Sequence, residues 1–365
     1  MSKKANRHMV TLARKVRGIT QTQLAEITGI SQAALSRYVK GSDPIPEYEV
    51  EAIATALRFP VKFFYQEGEQ LASESGEVFH RKRRSVPIAT LDHIHAHLNI
   101  FRIVTKHLLT GVTPRHDYDI PRYQVRAFNG DVEYIAEVVR AAWGLNPGPV
   151  DNLIELLENA YVFVWLMDFD TELIDETTQW VGHPRPIMLM NSQVSGERLR
   201  YSCAHALGHL VLHHNVEPYQ EMETEADRFA AAFLMPAEEI KAELAPVTIE
   251  HLLKMKPAWG VSMQALIRRA KDVGMINESR YKSLFEMLSR AGYRKQEPFT
   301  LEPEEPTLFK KLVDEYHQND QGRSISQIAD IAHISEEDFR EWYHYPLLRL
   351  VHKGSHTIEE KRSIK

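Results

Sequence analysis

The chain has 365 residues, of which 43% are hydrophobic and 26% charged, a composition typical of soluble proteins with two or three domains. No apolar run reaches the roughly 18 residues of a membrane span, and the N-terminal stretch lacks the apolar core of a signal peptide. The single cysteine, Cys203, cannot form an intrachain disulfide. These features exclude a membrane-spanning chain and a disulfide framework, so we expect a cytoplasmic protein without a membrane partner.

The net charge of −6 is unevenly distributed. Residues 1–41 contain eight Lys or Arg and only one acidic residue, Glu26. A basic first segment on an acidic chain suggests a phosphate-binding module attached to a module of another kind.

The first elements, over residues 9–65, are predicted to be short helices joined by tight turns. Thr20 and Gln23 have the spacing of a capping box, Gly29 suits the turn that follows, and Ser31 can cap the next helix. That next helix would expose short polar groups and cations, which suits the major groove of DNA. The predicted contacts to double-stranded DNA are Gln21, Gln32, Ala33, Ser36, Arg37 and Lys40. The alternative is a small helical bundle with a solvated basic face.

This pattern resembles the phage-repressor-like (XRE) helix-turn-helix family. The resemblance implies a five-helix domain that binds an operator, usually as a homodimer. We assign it to residues 1–70.

Residues 71–130 are predicted to form a helical connector. Its basic run Arg81–Arg84 is interpreted as a solvated linker rather than a specific contact. A helix is predicted over 90–109 and a loop-rich boundary over 110–130. That helix contains three histidines at intervals of two residues, His93, His95 and His97. On a helix this spacing does not bring the side chains together, so we expect them at the surface rather than in a metal site.

Helices alternate with short apolar segments from residue 131 onward. Helices are predicted over 131–143, 150–159, 196–213, 221–233 and within 248–292. Strands are predicted over 161–167, 174–181 and 186–190. An acidic connector over 297–306 precedes a helical region, 307–350, and a polar tail after Lys353 that we expect to be disordered.

The segment 199–214 contains His205 and His209, four residues apart on one predicted helix and therefore able to reach one ion. Glu225 follows on a neighbouring helix. Two histidines and one glutamate with an open fourth position are the ligand set of a catalytic zinc site. The alternative is a structural histidine pair on a buried helix.

The segment with His205 and His209 and the predicted helix with Glu225 both resemble the ImmA/IrrE family of metallopeptidases. The stretches Trp143–Pro149 and Trp259–Ser262 resemble it as well. By this resemblance His205, His209 and Glu225 are the zinc ligands, with Glu221 and Glu223 less favoured. It implies endoproteolysis of repressor-type proteins in prophage, mobile-element or stress responses.

The expected fold is mainly α and multidomain. It comprises the five-helix domain, an α+β zincin-like metallopeptidase domain with a small sheet over residues 131–296, and a C-terminal helical domain with a polar tail over 297–365.

Position 206 departs from the family's His-Glu-x-x-His pattern, because Ala206 stands where the general-base glutamate is expected. That glutamate takes a proton from the attacking water and delivers it to the leaving amine, and its loss costs about 10²–10⁴-fold in rate. Metal binding should survive, since position 206 is not a ligand. The alternatives are a natural pseudo-peptidase and a deliberate inactivating substitution, which we favour because the rest of the motif is intact.

Residues 324–343 again show a helix-turn-helix pattern, but the acidic run Glu336–Asp338 would repel phosphate. We interpret this region as protein-contacting or structural.

The leading hypothesis is a DNA-binding regulator whose zinc endopeptidase domain cleaves a repressor-type partner or its own chain, inactivated here by Ala206. The alternative is a non-enzymatic transcription regulator or antitoxin-like protein that uses the zinc fold as a sensor or dimerisation module.

Overall fold

The computed structural model describes residues 4–66, 78–82, 86–180, 185–214, 216–318 and 322–343. The predicted solvation of the Arg81–Arg84 side chains and the predicted disorder after Lys353 fall outside the described part. Within that part, no helix combines the length and apolar character needed to cross a membrane.

Contacts group the chain into two compact units. The first contains Met1–Glu74, Leu91–Pro114 and Leu308–Lys365, and the second contains Ser75–Thr90 and Arg115–Thr307. Each unit thus joins segments that are distant in sequence. The division into four successive domains remains a prediction.

The N-terminal part of the first unit is the predicted five-helix arrangement, with a 3-10 turn in fifth place. Its elements are α1 Arg7–Val16, α2 Gln21–Thr28, α3 Gln32–Lys40, α4 Glu47–Leu57 and the 3-10 turn Val61–Tyr65. Leu24, Leu35 and Ile53 are buried at its centre, each at most 1% exposed. Apolar residues at helical spacing thus form one small core.

The start of α2 and the turn between α2 and α3 have the chemistry expected from the sequence. The Thr20 hydroxyl accepts a hydrogen bond from the Gln23 amide at 3.1 Å, and the Gln23 side chain accepts one from the Thr20 amide at 2.7 Å. Gly29 has φ 72°, a left-handed conformation that suits glycine. The Ser31 hydroxyl accepts from the Ala34 amide and caps α3.

The remaining helices of the first unit come from the middle and the end of the chain. They are α5 Ile88–Leu108, which belongs to this unit from Leu91 onward, α14 Leu308–Gln318, α15 Ile325–Ile331 and α16 Glu336–Tyr343. The Arg17 guanidinium donates two hydrogen bonds to the Asp338 carboxylate, at 2.9 and 2.6 Å. Asp338, from the acidic run, therefore forms an ion pair inside this unit.

The second unit contains eight further α-helices among the described residues and a small mixed sheet. The helices are α6 Val132–Ala142, α7 Leu153–Asn159, α8 Gly196–Leu212, α9 Met222–Leu234, α10 Ala237–Leu244, α11 Ile249–Trp259, α12 Met263–Asp272 and α13 Glu278–Arg290. The strands are β1 Phe79–Lys82, β2 Phe163–Met167, β3 Ile174–Gln179 and β4 Ile187–Asn191. A short 3-10 turn, Val125–Phe128, precedes α6.

The sheet has the strand order β1-β3-β4-β2. β1 pairs antiparallel with β3, β3 antiparallel with β4, and β4 parallel with β2. The three predicted strands correspond to β2, β3 and β4, whereas β1 was not predicted. Helix α8 packs against this sheet and against α9.

A buried lysine ties the start of α8 to α11. The Lys256 ammonium is fully buried and donates to the carboxylates of Glu197 and Glu297, both at 2.7 Å. Glu197 lies in the first turn of α8, so this charge cluster helps to fix the helix that presents the histidines.

Candidate functional site

The site is built on α8, which presents two histidines one turn apart. His205 and His209 are 1% and 0% exposed, and their Nε2 atoms lie 3.1 Å from each other. Burial lowers the pKa of His209 to about 4, so its imidazole is neutral at physiological pH. Neutral imidazoles are the usual histidine form that binds metal ions, and the two Nε2 atoms point at the same spot.

A carboxylate from α9 completes a group of three donors. Glu223 approaches His205 Nε2 and His209 Nε2, each at 3.4 Å. Burial by itself would raise the pKa of Glu223, but hydrogen bonds from both histidines outweigh it and lower the pKa. Four-coordinate zinc with bonds of about 2.1 Å holds its ligand atoms about 3.4 Å apart. The two Nε2 atoms are 3.1 Å apart, and each lies 3.4 Å from one of the two Glu223 oxygens, Oε2 for His205 and Oε1 for His209, so the spacings are of the size that zinc requires. Within the described part of the chain, this is the group of His, Cys, Asp and Glu side chains that could hold a metal.

The structure does not bring Glu225, the predicted third ligand, to this point. Residues two apart on a helix lie about 200° apart around its axis, so Glu223 and Glu225 face different ways. Glu225 instead accepts a hydrogen bond from His213 Nε2 at 2.9 Å and one from the Tyr219 hydroxyl at 2.5 Å. The geometry thus favours Glu223 over Glu225.

The outer nitrogens of both histidines are also engaged. His205 Nδ1 lies 3.0 Å from the Asp227 carboxylate, and His209 Nδ1 lies 2.9 Å from His213 Nδ1. His213 in turn bonds Glu225. Such outer contacts fix the tautomer and ring orientation of metal-binding histidines. Asp227 was not predicted as a site residue, although its position four residues after Glu223 places both on one face of α9.

The two helices approach closely at Gly208. A Cβ at this position would lie 3.1 Å from Ala226 Cα and 3.2 Å from its carbonyl oxygen. Glycine therefore lets α8 and α9 pack tightly enough for Glu223 to reach the histidines. The backbone of α9 thus fills the space that a side chain at position 208 would need.

Ala206 follows His205 and is fully buried. Its methyl group can neither accept nor donate a proton. The nearby carboxylates of Asp227 and Glu225 are hydrogen-bonded to His205 and His213, the outer contacts of the site. None of these contacts supplies the acid–base group that position 206 lacks.

The predicted DNA-contacting residues lie on α2 and α3. Gln32, Ala33, Arg37 and Lys40 are exposed, while Gln21 and Ser36 are partly exposed. The Gln32 amide donates to the Thr22 hydroxyl at 3.3 Å, and Arg37 pairs with Asp43 at 2.6 Å. Because Arg37 is 52% exposed, that pair is weak and open to exchange for a phosphate.

Fold and site together define a DNA-binding regulator with a metallopeptidase-like domain. The comparison with protein families specifies both parts. Residues 12–64 match the helix-turn-helix family model, and residues 158–271 match the Peptidase M78 model, described as an IrrE N-terminal-like domain. Each match covers one part of the chain, and together they confirm both resemblances. No curated protein matches the chain.

Proposed function

We propose that the peptidase-like domain binds one zinc ion through His205, His209 and Glu223, and that Ala206 leaves it able to hold a protein partner but poor at cleaving it. The observation that carries this proposal is the convergence of three side chains, each of which offers one ligand atom within 4.8 Å of the other two. Zinc bound there would supply Lewis acidity toward a peptide carbonyl.

The side chains around the donors have separate tasks. Asp227 and His213 accept or share the outer protons of the two histidines and so leave the lone pair of each Nε2 atom directed at the metal position. Glu223 contributes negative charge, and its side chain is 60% exposed, so the site opens toward a partner. Ala206 provides no proton transfer, which lowers the hydrolysis rate by about 10²–10⁴-fold relative to a glutamate.

The family resemblance supports a repressor-type protein, or this chain itself, as the partner of the domain. It also supports a homodimer on operator DNA and a role in stress, prophage or mobile-element responses in the cytoplasm. On DNA, we propose that Gln32 reads a base edge while Arg37 and Lys40 hold phosphates, since these side chains lie exposed on α3.

A second candidate is a regulator that uses the zinc site purely as a sensor or dimerisation module. Ala206 favours this candidate, because nothing at that position can move a proton. The two candidates differ in what a restored glutamate should do.

The experiment compares the zinc-loaded chain with its Ala206→Glu and Ala206→Gln variants, using the proteins of a cell lysate as substrates. We expect Ala206→Glu to produce defined cleavage products, and Ala206→Gln, which has similar size but no basic carboxylate, to produce none. If Ala206→Glu binds zinc and cleaves nothing, the peptidase proposal fails and the sensor remains.

DNA contact is tested by selecting an operator from a random duplex library and measuring gel shifts. Arg37→Ala and Gln32→Ala should each weaken binding, with Gln32→Ala also relaxing base preference by about 1–3 kcal/mol. Arg290→Ala is the matched control, because Arg290 lies on α13 and is 81% exposed. Unchanged operator affinity in both α3 variants would contradict the assignment of this face.

A further inference from the structure

Strand β1 is the edge of the sheet and comes from a four-residue segment far from the rest of it in sequence. Phe79 pairs with Thr178, His80 with Thr177 and Arg81 with Glu176, after which the register shifts. The preceding described segment ends at residue 66 in the helix-turn-helix part, and the other three strands begin at Phe163. β1 therefore adds to the sheet as a short separate peptide would.

The strand that receives β1 has the composition of a sheet edge. Strands β2 and β4 are apolar, with Phe163, Val164, Ile187 and Leu189 among their residues. β3 instead reads Ile-Asp-Glu-Thr-Thr-Gln, five polar residues of six, although all six are buried in the structure. A strand permanently inside a sheet is usually apolar, whereas polar residues suit a strand that meets water when its neighbour leaves.

β1 also reaches the metal site. The ring of Phe79 stacks on the imidazole of His209, with ring centroids 4.5 Å apart and planes 14° from parallel. His213 lies 6.4 Å from the same ring. The first residue of β1 thus covers one of the donors of the candidate zinc site.

We propose that Phe79–Lys82 occupies, within its own chain, the edge of β3 at which an extended peptide of a protein partner binds. Backbone hydrogen bonds to β3 and an aromatic side chain over His209 would be the two recognition features, so the partner peptide carries a large aromatic residue at that position. This proposal rests on the proposed function, since it assigns the place where the partner binds.

The arrangement makes the segment a competitive inhibitor of its own domain. A tethered segment acts at an effective concentration of about a millimolar, so a free peptide with the same contacts binds weakly until the tethered strand is displaced. A four-residue strand with one half-buried aromatic anchor is small enough to be displaced.

The test measures binding of a fluorescent peptide with the sequence of residues 76–86, GEVFHRKRRSV, to the full chain by fluorescence anisotropy. Phe79→Ala in the protein weakens the attachment of the tethered strand. The labelled peptide should therefore bind this variant about 10- to 100-fold more tightly than it binds the unchanged chain. A peptide in which its own phenylalanine is replaced by alanine should lose that gain. Tyr48→Ala is the control, because Tyr48 is an aromatic residue on α4 of the first unit and is 70% exposed.

Equal peptide affinity for the unchanged chain and for Phe79→Ala would overturn the proposal. A second measurement, on the unchanged chain, covers the case in which Phe79→Ala does not fold. In hydrogen exchange, the β3 amides that face β1 should exchange faster than those of β4, and equally slow exchange would also overturn the proposal. Zinc content measured on the same samples separates the two claims: absence of zinc contradicts the proposed function, whereas the peptide and exchange results decide this inference.

Discussion

Replacing Glu223 by glutamine tests the assignment of the third zinc ligand, and Glu225→Gln provides the matched control two residues away. Both changes remove one negative charge and keep the side-chain size. Glu223 lies 3.4 Å from both Nε2 atoms, whereas Glu225 lies against His213 and Tyr219. The two variants should therefore differ strongly in zinc affinity.

The expected magnitudes follow from these positions. Glu223→Gln removes one of three donors, and the only negatively charged one. Loss of an outer contact typically weakens metal binding about 10–100-fold, so we expect this variant to lose at least about 10²-fold in zinc affinity. Glu225→Gln acts on the site through His213 and then His209, and glutamine can still hydrogen-bond His213, so we expect no more than about a 10-fold loss. The two dissociation constants should differ by at least about 10-fold, or 1.4 kcal/mol.

The assay is competition for zinc with a chromophoric chelator at pH 7.5, with circular dichroism to show that both variants are folded. A large loss in Glu225→Gln with zinc binding retained in Glu223→Gln would refute the reasoning from the structure and support the ligand set predicted from the sequence.

Three further predictions concern packing, orientation and pH. Gly208→Ala should destabilise the second unit by about 1–3 kcal/mol in thermal melts, because its Cβ would press on Ala226, and an unchanged melting temperature would contradict the close approach. His213→Ala should weaken zinc binding about 10–100-fold in chelator competition, because His209 loses the partner of its Nδ1. Burial, with nearby charges, lowers the pKa of His97 to about 3 from 6.5. Below pH 6.5 the unfolded chain therefore binds a proton at His97 that the folded chain does not bind. The free energy of unfolding should fall as the pH drops below about 6.5, by up to roughly 1.4 kcal/mol per pH unit. His97→Leu should flatten this fall in melts between pH 4 and 7, and an unchanged slope would show that His97 does not cause it.

Local rules sufficed for much of the fold. The capping box of Thr20 and Gln23 and the left-handed Gly29 depend on residues a few positions apart, so the sequence predicts them directly. The same holds for His205 and His209, since their spacing alone places them on one face of a helix.

The third ligand could not be settled from the sequence, because Glu221, Glu223 and Glu225 all lie close to the start of α9. Only the crossing of α8 and α9 at Gly208 determines which of them faces the histidines. A resemblance carries over a motif, but a shift of two positions along a helix turns a side chain by about 200° around the axis, so the choice between Glu223 and Glu225 depends on how the helices pack.

Three other features depend on contacts between distant segments. β1 has four residues within a basic stretch and no detectable period, so its pairing with β3 leaves no signal in the sequence. The histidines on α5 illustrate the same limit: His93 and His97 were expected at the surface, yet the Nδ1 atom of His97 is buried. The ion pair between Arg17 and Asp338 joins residues more than 300 positions apart. It gives one residue of the acidic run a structural contact, whereas the sequence indicated only that the run does not contact DNA.

Zinc-edge X-ray absorption on the purified, zinc-loaded chain tests the central claim most directly. We expect about one zinc per chain, coordinated by two imidazoles and a carboxylate with nitrogen and oxygen distances of about 2.0–2.2 Å and no sulfur. A chain that binds no zinc, or a spectrum with three imidazoles that brings in His213 in place of Glu223, would contradict it.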